Sequence, residues 1–129
     1  MTRETGAVGL LAAALTALAV VLALMVIDVA RVVAVRGQVV TAADAAALAA
    51  APVTFSSFGT SGDPAREAAV VAAGNGARLV ECRCPVDRSW DSRVVTVTAA
   101  MRTSLALLGN RELTATSSAE FRPVALGQR

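Results

Sequence analysis

The chain has 129 residues and an apolar content of 55% that is unevenly spread: Ala7 to Ile27 carries no charge at all, which leaves Pro52 to Arg129 for a soluble fold with a thin core. There is no His, all twelve basic residues are Arg, and the aromatic side chains are Phe55, Phe58, Trp90 and Phe121. A Ser-His-Asp or Cys-His centre is thereby excluded within the chain, two Cys fall short of a four-ligand zinc site, no cofactor is expected, and a net charge of +2 on scattered Arg residues argues against a nucleic-acid partner.

The twenty-one residues from Ala7 to Ile27 would reach about 31 Å as a helix, close to the ~30 Å hydrocarbon thickness of a bilayer. They are read as a single transmembrane helix in contact with lipid, with residues 1–6 as a cytoplasmic, leader-like segment before it. The alternatives are a buried core helix and a cleaved secretory signal. Ala17-Leu18-Ala19 has the small-x-small pattern of a signal cleavage site, but the apolar run continues well beyond it. Charge does not decide the orientation, because Arg3 and the amino terminus oppose Glu4 on one side, while Arg31 and Arg36 follow Asp28 on the other.

Helical character continues past the membrane edge. Asp28 and Arg31 are three residues apart and are expected to pair on one face at the interface, and Thr41 to Ala51 is an Ala-rich helix former. One helix is therefore predicted from about Ala7 to Ala51, residues 28–51 being its extramembrane continuation, with Gly37 a weak point and Pro52 a terminator. At 100° per residue Asp28, Arg31, Gln38 and Thr41 share a broad face.

Residues 52–129 are expected to form a small extracytoplasmic α/β domain. Val53 to Gly62 reads as a loop anchored by Phe55 and Phe58. Asp63-Pro64 is an N-cap followed by proline at the first helical position, and Gly74-Asn75-Gly76 ends the short helix it opens. The period then changes to two. Val80, Cys82, Cys84 and Val86 would share one face of a first strand, and Val95, Val97, Ala99 and Met101 one face of a second. In a third, Leu113, Ala115, Ser117, Ala119 and Phe121 would point inward, after a turn at Gly109-Asn110. Short sequential connections favour an antiparallel meander, and three short strands with one apolar face need a cover. The Ala-rich face of residues 39–51 is that cover, so the fold class is α+β: a long helix, a short helix and a three-stranded sheet.

This arrangement resembles a pilin. The residues narrow it: Gly6-Ala7-Val8 before the apolar run, the Asp28 and Arg31 pair, Gln38 with Thr41-Ala42-Ala43-Asp44 and the Ala run to Ala51, and Ala72-Ala73-Gly74-Asn75-Gly76-Ala77 ahead of a Cys-bearing strand. Together they are similar to TadE/TadG-like proteins, minor pilin-like (pseudopilin) components encoded with tight-adherence (Flp-type) pilus and secretion machinery. The resemblance implies a non-enzymatic structural or assembly component, single-pass in the cytoplasmic membrane or within a surface filament. Its implied partners are other pilin-like subunits, the Tad inner-membrane assembly machinery and a prepilin peptidase. By resemblance the peptidase would cut between Gly6 and Ala7. The Glu that such relatives carry five residues into the mature chain is here Leu11.

Two features stand apart from the helix. Cys82-Arg83-Cys84 is a C-x-C whose fates are a local disulfide relieved by a bend at Pro85, buried thiols, or an intermolecular bridge. Asp87 and Asp91 around Trp90 read as turn residues, with Phe55, Phe58 and Trp90 a candidate partner surface. That surface supports the alternative reading, a membrane-anchored extracytoplasmic binding module unrelated to pili.

Overall fold

The computed structural model describes residues 3–55 and 62–123, with side chains from Gly6 onward. Helix α1 (Arg3–Val53) is followed by helix α2 (Pro64–Gly74) and strands β1 (Arg78–Arg83), β2 (Arg93–Leu105) and β3 (Gly109–Phe121). The sheet is antiparallel in the order β1-β2-β3. This is the α+β arrangement expected from the sequence.

Helix α1 runs unbroken through Gly37 and ends one residue beyond Pro52. There Thr54 caps the last turn, its amide and hydroxyl both donating to the Ala51 carbonyl at 3.3 and 2.7 Å. Helix α2 begins as its sequence dictates: Asp63 is extended and its carboxylate accepts from the Ala65 amide at 3.0 Å. The helix stops at Asn75, and Gly76 turns the chain at φ +76°, a conformation open to glycine at little cost.

Two apolar clusters hold the small domain on the outer part of α1. In one, Ala46, Ala47, Ala50 and Ala51 meet Ala68 and Ala72 of α2 and Val95, Val97 and Ala119 of the sheet. In the other, Val39, Ala42 and Ala43 meet Ala77 and Ala99, with Met101, Leu113 and Ala115 around them. With methyl groups at nearly every contact, the helix backbone lies close to the sheet, and each buried side chain contributes little on its own. The opposite face of the sheet is hydrophilic: Thr96 pairs with Ser118 and Thr98 with Thr116 through their hydroxyls at 3.0 and 2.9 Å.

Strands β2 and β3 alternate as predicted, with Val95, Val97 and Ala99 buried and Leu113, Ala115, Ser117 and Phe121 half-buried beside buried Ala119. Two expectations are corrected. Gly109 and Asn110 are not the turn but already strand, paired with Leu105 and Ser104, and the connection is Ala106 to Leu108 with Gly109 at φ +68° closing it. In β1 a bulge between Leu79 and Glu81 lets Leu79 and Cys82 both face the core, while Val80 is 48% exposed and Val86 lies beyond the strand. An extra residue in one strand breaks the period of two, so Val80 and Cys82 do not share a face.

The hairpin matches the helix in length. From Asp28 to Val53 α1 rises about 38 Å, and β2 extends about 40 Å beside it. One end of the hairpin therefore lies at Thr54 and the other at Asp28.

Candidate functional site

The inner part of α1 is bare. Leu10, Leu11, Leu15, Leu18 and Leu22 are all more than half exposed, and no part of the helix's most apolar stretch is covered by the rest of the protein. Thr16, the one hydroxyl in the Ala7 to Ile27 run, donates to the Ala12 carbonyl at 2.8 Å, so this segment presents no unmet side-chain donor to a lipid environment. One long apolar helix of this kind is a candidate membrane anchor. Gly6 and Ala7, the candidate processing site, lie near its start with exposed side-chain positions, and a Cβ at Gly6 would meet nothing within 4 Å.

At the outer end of that run the expected Asp28 to Arg31 pair is not formed; Asp28 reaches the β2–β3 connection and Arg31 the end of β2 instead. Asp28 is only 5% exposed, and its two carboxylate oxygens accept from the backbone amides of Ala106 and Leu107 at 2.7 and 2.9 Å. Arg31 donates to the Ser104 carbonyl at 3.2 Å. The physical reason is that Asp28 belongs with the stripe of Val32, Val35, Val39, Ala42 and Ala46, at helical spacing, that faces the domain, whereas Gln38 and Thr41 are exposed. A carboxylate at that position finds the two amides of a tight turn, and charge-assisted bonds to both meet its need for partners in place of an ion pair. The helix and the hairpin tip are thus clasped where the uncharged run ends. Higher on α1, the Ser117 hydroxyl donates to Asp44.

The far end of the domain is held by a residue that the sequence reading did not single out. Arg93, 8% exposed, donates through Nη1 to the carbonyls of Thr54 and Asp87 at 3.0 and 2.6 Å, and through Nη2 to those of Ser89 and Asp91. Its guanidinium also lies 5.7 Å from the centre of the Phe55 ring. A signal for it exists: Arg93 has the inward parity of Val95, Val97 and Ala99, where a cation is out of place unless something buried accepts from it. The guanidinium gathers the 87–91 loop against the end of α1. Asp87 adds to this, its carboxylate accepting from the Ser89 hydroxyl at 2.7 Å and the Ser89 amide at 3.1 Å, contacts that hold it below the ordinary carboxylate range.

This packing divides the candidate partner surface. Phe55 is only 5% exposed, with Trp90 edge-on at 5.1 Å and Phe121 at 6.2 Å, so it anchors the loop internally and offers no surface. Trp90 is 53% exposed. Phe58 lies outside the described residues. Cys82 and Cys84 are joined by a disulfide, with Cα atoms 5.4 Å apart. The strand ends at Arg83, between the two cysteines, and their Cα separation lies within disulfide range.

On the outer face of the sheet, Glu112 accepts from Arg102 at 3.2 Å and from Arg78 at 3.1 Å, and these two cations hold its carboxyl below the ordinary range. Such exposed pairs contribute little to stability.

No curated protein matches the chain, and no solved structure does. Residues 6–53, nearly the whole of α1, match the family of putative Flp pilus-assembly TadE/G-like proteins, so the resemblance read in the sequence holds along the helix, bare part and docked part alike, and supports involvement in Flp pilus assembly.

Proposed function

We propose that this protein is a non-enzymatic minor pilin or pseudopilin, a structural or assembly component of a Tad (Flp-type) pilus or secretion apparatus. The observation that carries the reading is the match over residues 6–53 to an assembly family, falling on a helix whose inner part is bare and whose outer part is fixed to a small domain. Residues 7–27 hold the protein in the cytoplasmic membrane and supply the contact with other pilin-like subunits and the inner-membrane machinery. Gly9 and the many Ala residues permit the close helix approach such contacts need. Residues 52–129 lie on the extracytoplasmic side, a placement supported by the Cys82–Cys84 bridge, which belongs to an oxidising compartment.

Gly6–Ala7 is the proposed peptidase site, and the intact mass of protein recovered from its host membrane tests it. A chain starting at Ala7 supports processing despite Leu11; a chain starting at Met1 or Thr2 refutes it. The assembly role is tested by deleting the gene and restoring it with or without residues 7–27 replaced by an unrelated membrane helix. Loss of surface pili or of secretion in the deletion, rescued only by the native helix, is expected. Unchanged assembly in the deletion overturns the reading.

A further inference from the structure

Hairpin turns in small domains are normally polar, yet the β2–β3 connection is Ala106-Leu107-Leu108, with Leu107 44% and Leu108 60% exposed. The amides of Ala106 and Leu107 are bonded to Asp28, the first charged residue after the uncharged run, so these leucines are fixed at the height where the apolar helix ends. Between them and the helix lies an apolar groove of about 410 Å³ lined by Met25, Val29, Val32 and Val33 on one side and Leu105, Leu107 and Leu108 on the other. Met25 belongs to the run of residues 7–27, so the groove continues the surface assigned to lipid. At its other end stands Arg36, which shares the helix face of Met25, Val29, Val32 and Val33 by spacing. Arg111, two residues past Gly109, is exposed as well, and among the described residues no carboxylate pairs with Arg36 or Arg111. An apolar channel open toward the bilayer core and a cation one turn above its last valine have the polarity of a phospholipid.

We infer that the β2–β3 hairpin is a second membrane contact: Leu107 and Leu108 enter the leaflet on the domain's side, and a phospholipid acyl chain fills the groove beside Met25 and Val29 with its phosphate toward Arg36. The inference rests on the reading that residues 7–27 cross the membrane. The hairpin then fixes the height and tilt of the domain above the bilayer, a task for which a single helix has no second point of support.

The test places an environment-sensitive NBD probe on Leu108→Cys in the full chain, labelled without reductant and reconstituted into phosphatidylethanolamine and phosphatidylglycerol vesicles with or without brominated acyl chains. Leu18→Cys reports the membrane helix, and Thr116→Cys the solvent face of the sheet. The expected result is that bromination quenches the Leu108 probe to within about twofold of the Leu18 probe and leaves the Thr116 probe bright. A quenched Leu18 probe with an unquenched Leu108 probe overturns the hairpin contact and leaves the spanning reading intact. Neither probe quenched overturns both. An unquenched Leu108 probe, together with disulfide-linked dimers when the unlabelled Leu108→Cys protein is oxidised in the same vesicles, assigns the groove to a second copy and overturns the lipid.

Discussion

Between Ala7 and Ile27 the side chains of α1 are exposed on nearly every side, whereas between Val39 and Ala51 the same helix buries Val39, Ala42, Ala43, Ala46, Ala47, Ala50 and Ala51. Both stretches are built almost wholly from Ala, Val and Leu, so apolar content does not decide which half is covered. Side-chain size does. The inner half carries large side chains all round: Leu11, Leu15, Leu18 and Leu22 share one face by spacing, Val20 and Ile27 lie on the opposite one, and all six are exposed. Beyond Val39 the outer half keeps alanine at every buried position and turns its one leucine, Leu48, out to solvent at 67% exposure. One continuous helix thus carries a half that docks the small domain and a half that stays bare.

Four substitutions test this division of the helix and the contacts at its two ends. The largest effect is expected from Arg93→Ala, which frees four backbone carbonyls at the domain's far end and should cost about 3 kcal/mol or more of domain stability in denaturant unfolding followed by Trp90 fluorescence. Next, Ala46→Leu should lower stability by about 2 kcal/mol because the added volume has nowhere to go. Ala13→Leu in the bare half should leave the unfolding curve unchanged. Equal effects of the two leucines would contradict the division of the helix. Asp28→Ala leaves two turn amides without their acceptor; it should cost about 1–2 kcal/mol and speed hydrogen exchange at Ala106 and Leu107 far more than at Val97.

Among the changes expected to lower stability, acid has the smallest effect. Asp87, Glu112 and Glu120 are held below the ordinary carboxylate range by their hydrogen-bond partners, Ser89, Arg102 and Arg122 in turn. Their contribution is complete above the unfolded-chain values near pH 4 and is lost as pH falls through the lower folded values, so stability should decline slightly below about pH 4 and stay flat above about pH 6. A decline between pH 6 and 8 would be inconsistent with these contacts.

Much of this was legible from the chain alone, because the signals are local. The span of α1, the Asp63 cap of α2 and the alternation of β2 and β3 each depend on neighbours within a few positions. What escaped depends on distant partners. Asp28 looks like half of a pair with Arg31 until the turn more than seventy residues later is brought beside it. The bulge at Val80 leaves a sequence with as regular a period of two as an unbroken strand. Phe55 reads as a surface aromatic because nothing nearby shows that Trp90, Phe121 and Arg93 enclose it. Even so, a charge at an inward strand position and two leucines in a tight turn are departures from local rules, and both lead to sites where the structure makes a specific contact.

The proposed function makes the bare half of α1 the assembly face. Photo-crosslinking in the native host tests it most directly, with benzoylphenylalanine at Leu15 on that face and, separately, at Thr116 on the outer face of the sheet. Adducts with pilin-like or Tad inner-membrane proteins are expected from Leu15, and few from Thr116. Adducts from Thr116 alone, with Leu15 capturing only lipid, would contradict this assignment and make the sheet domain the binding element.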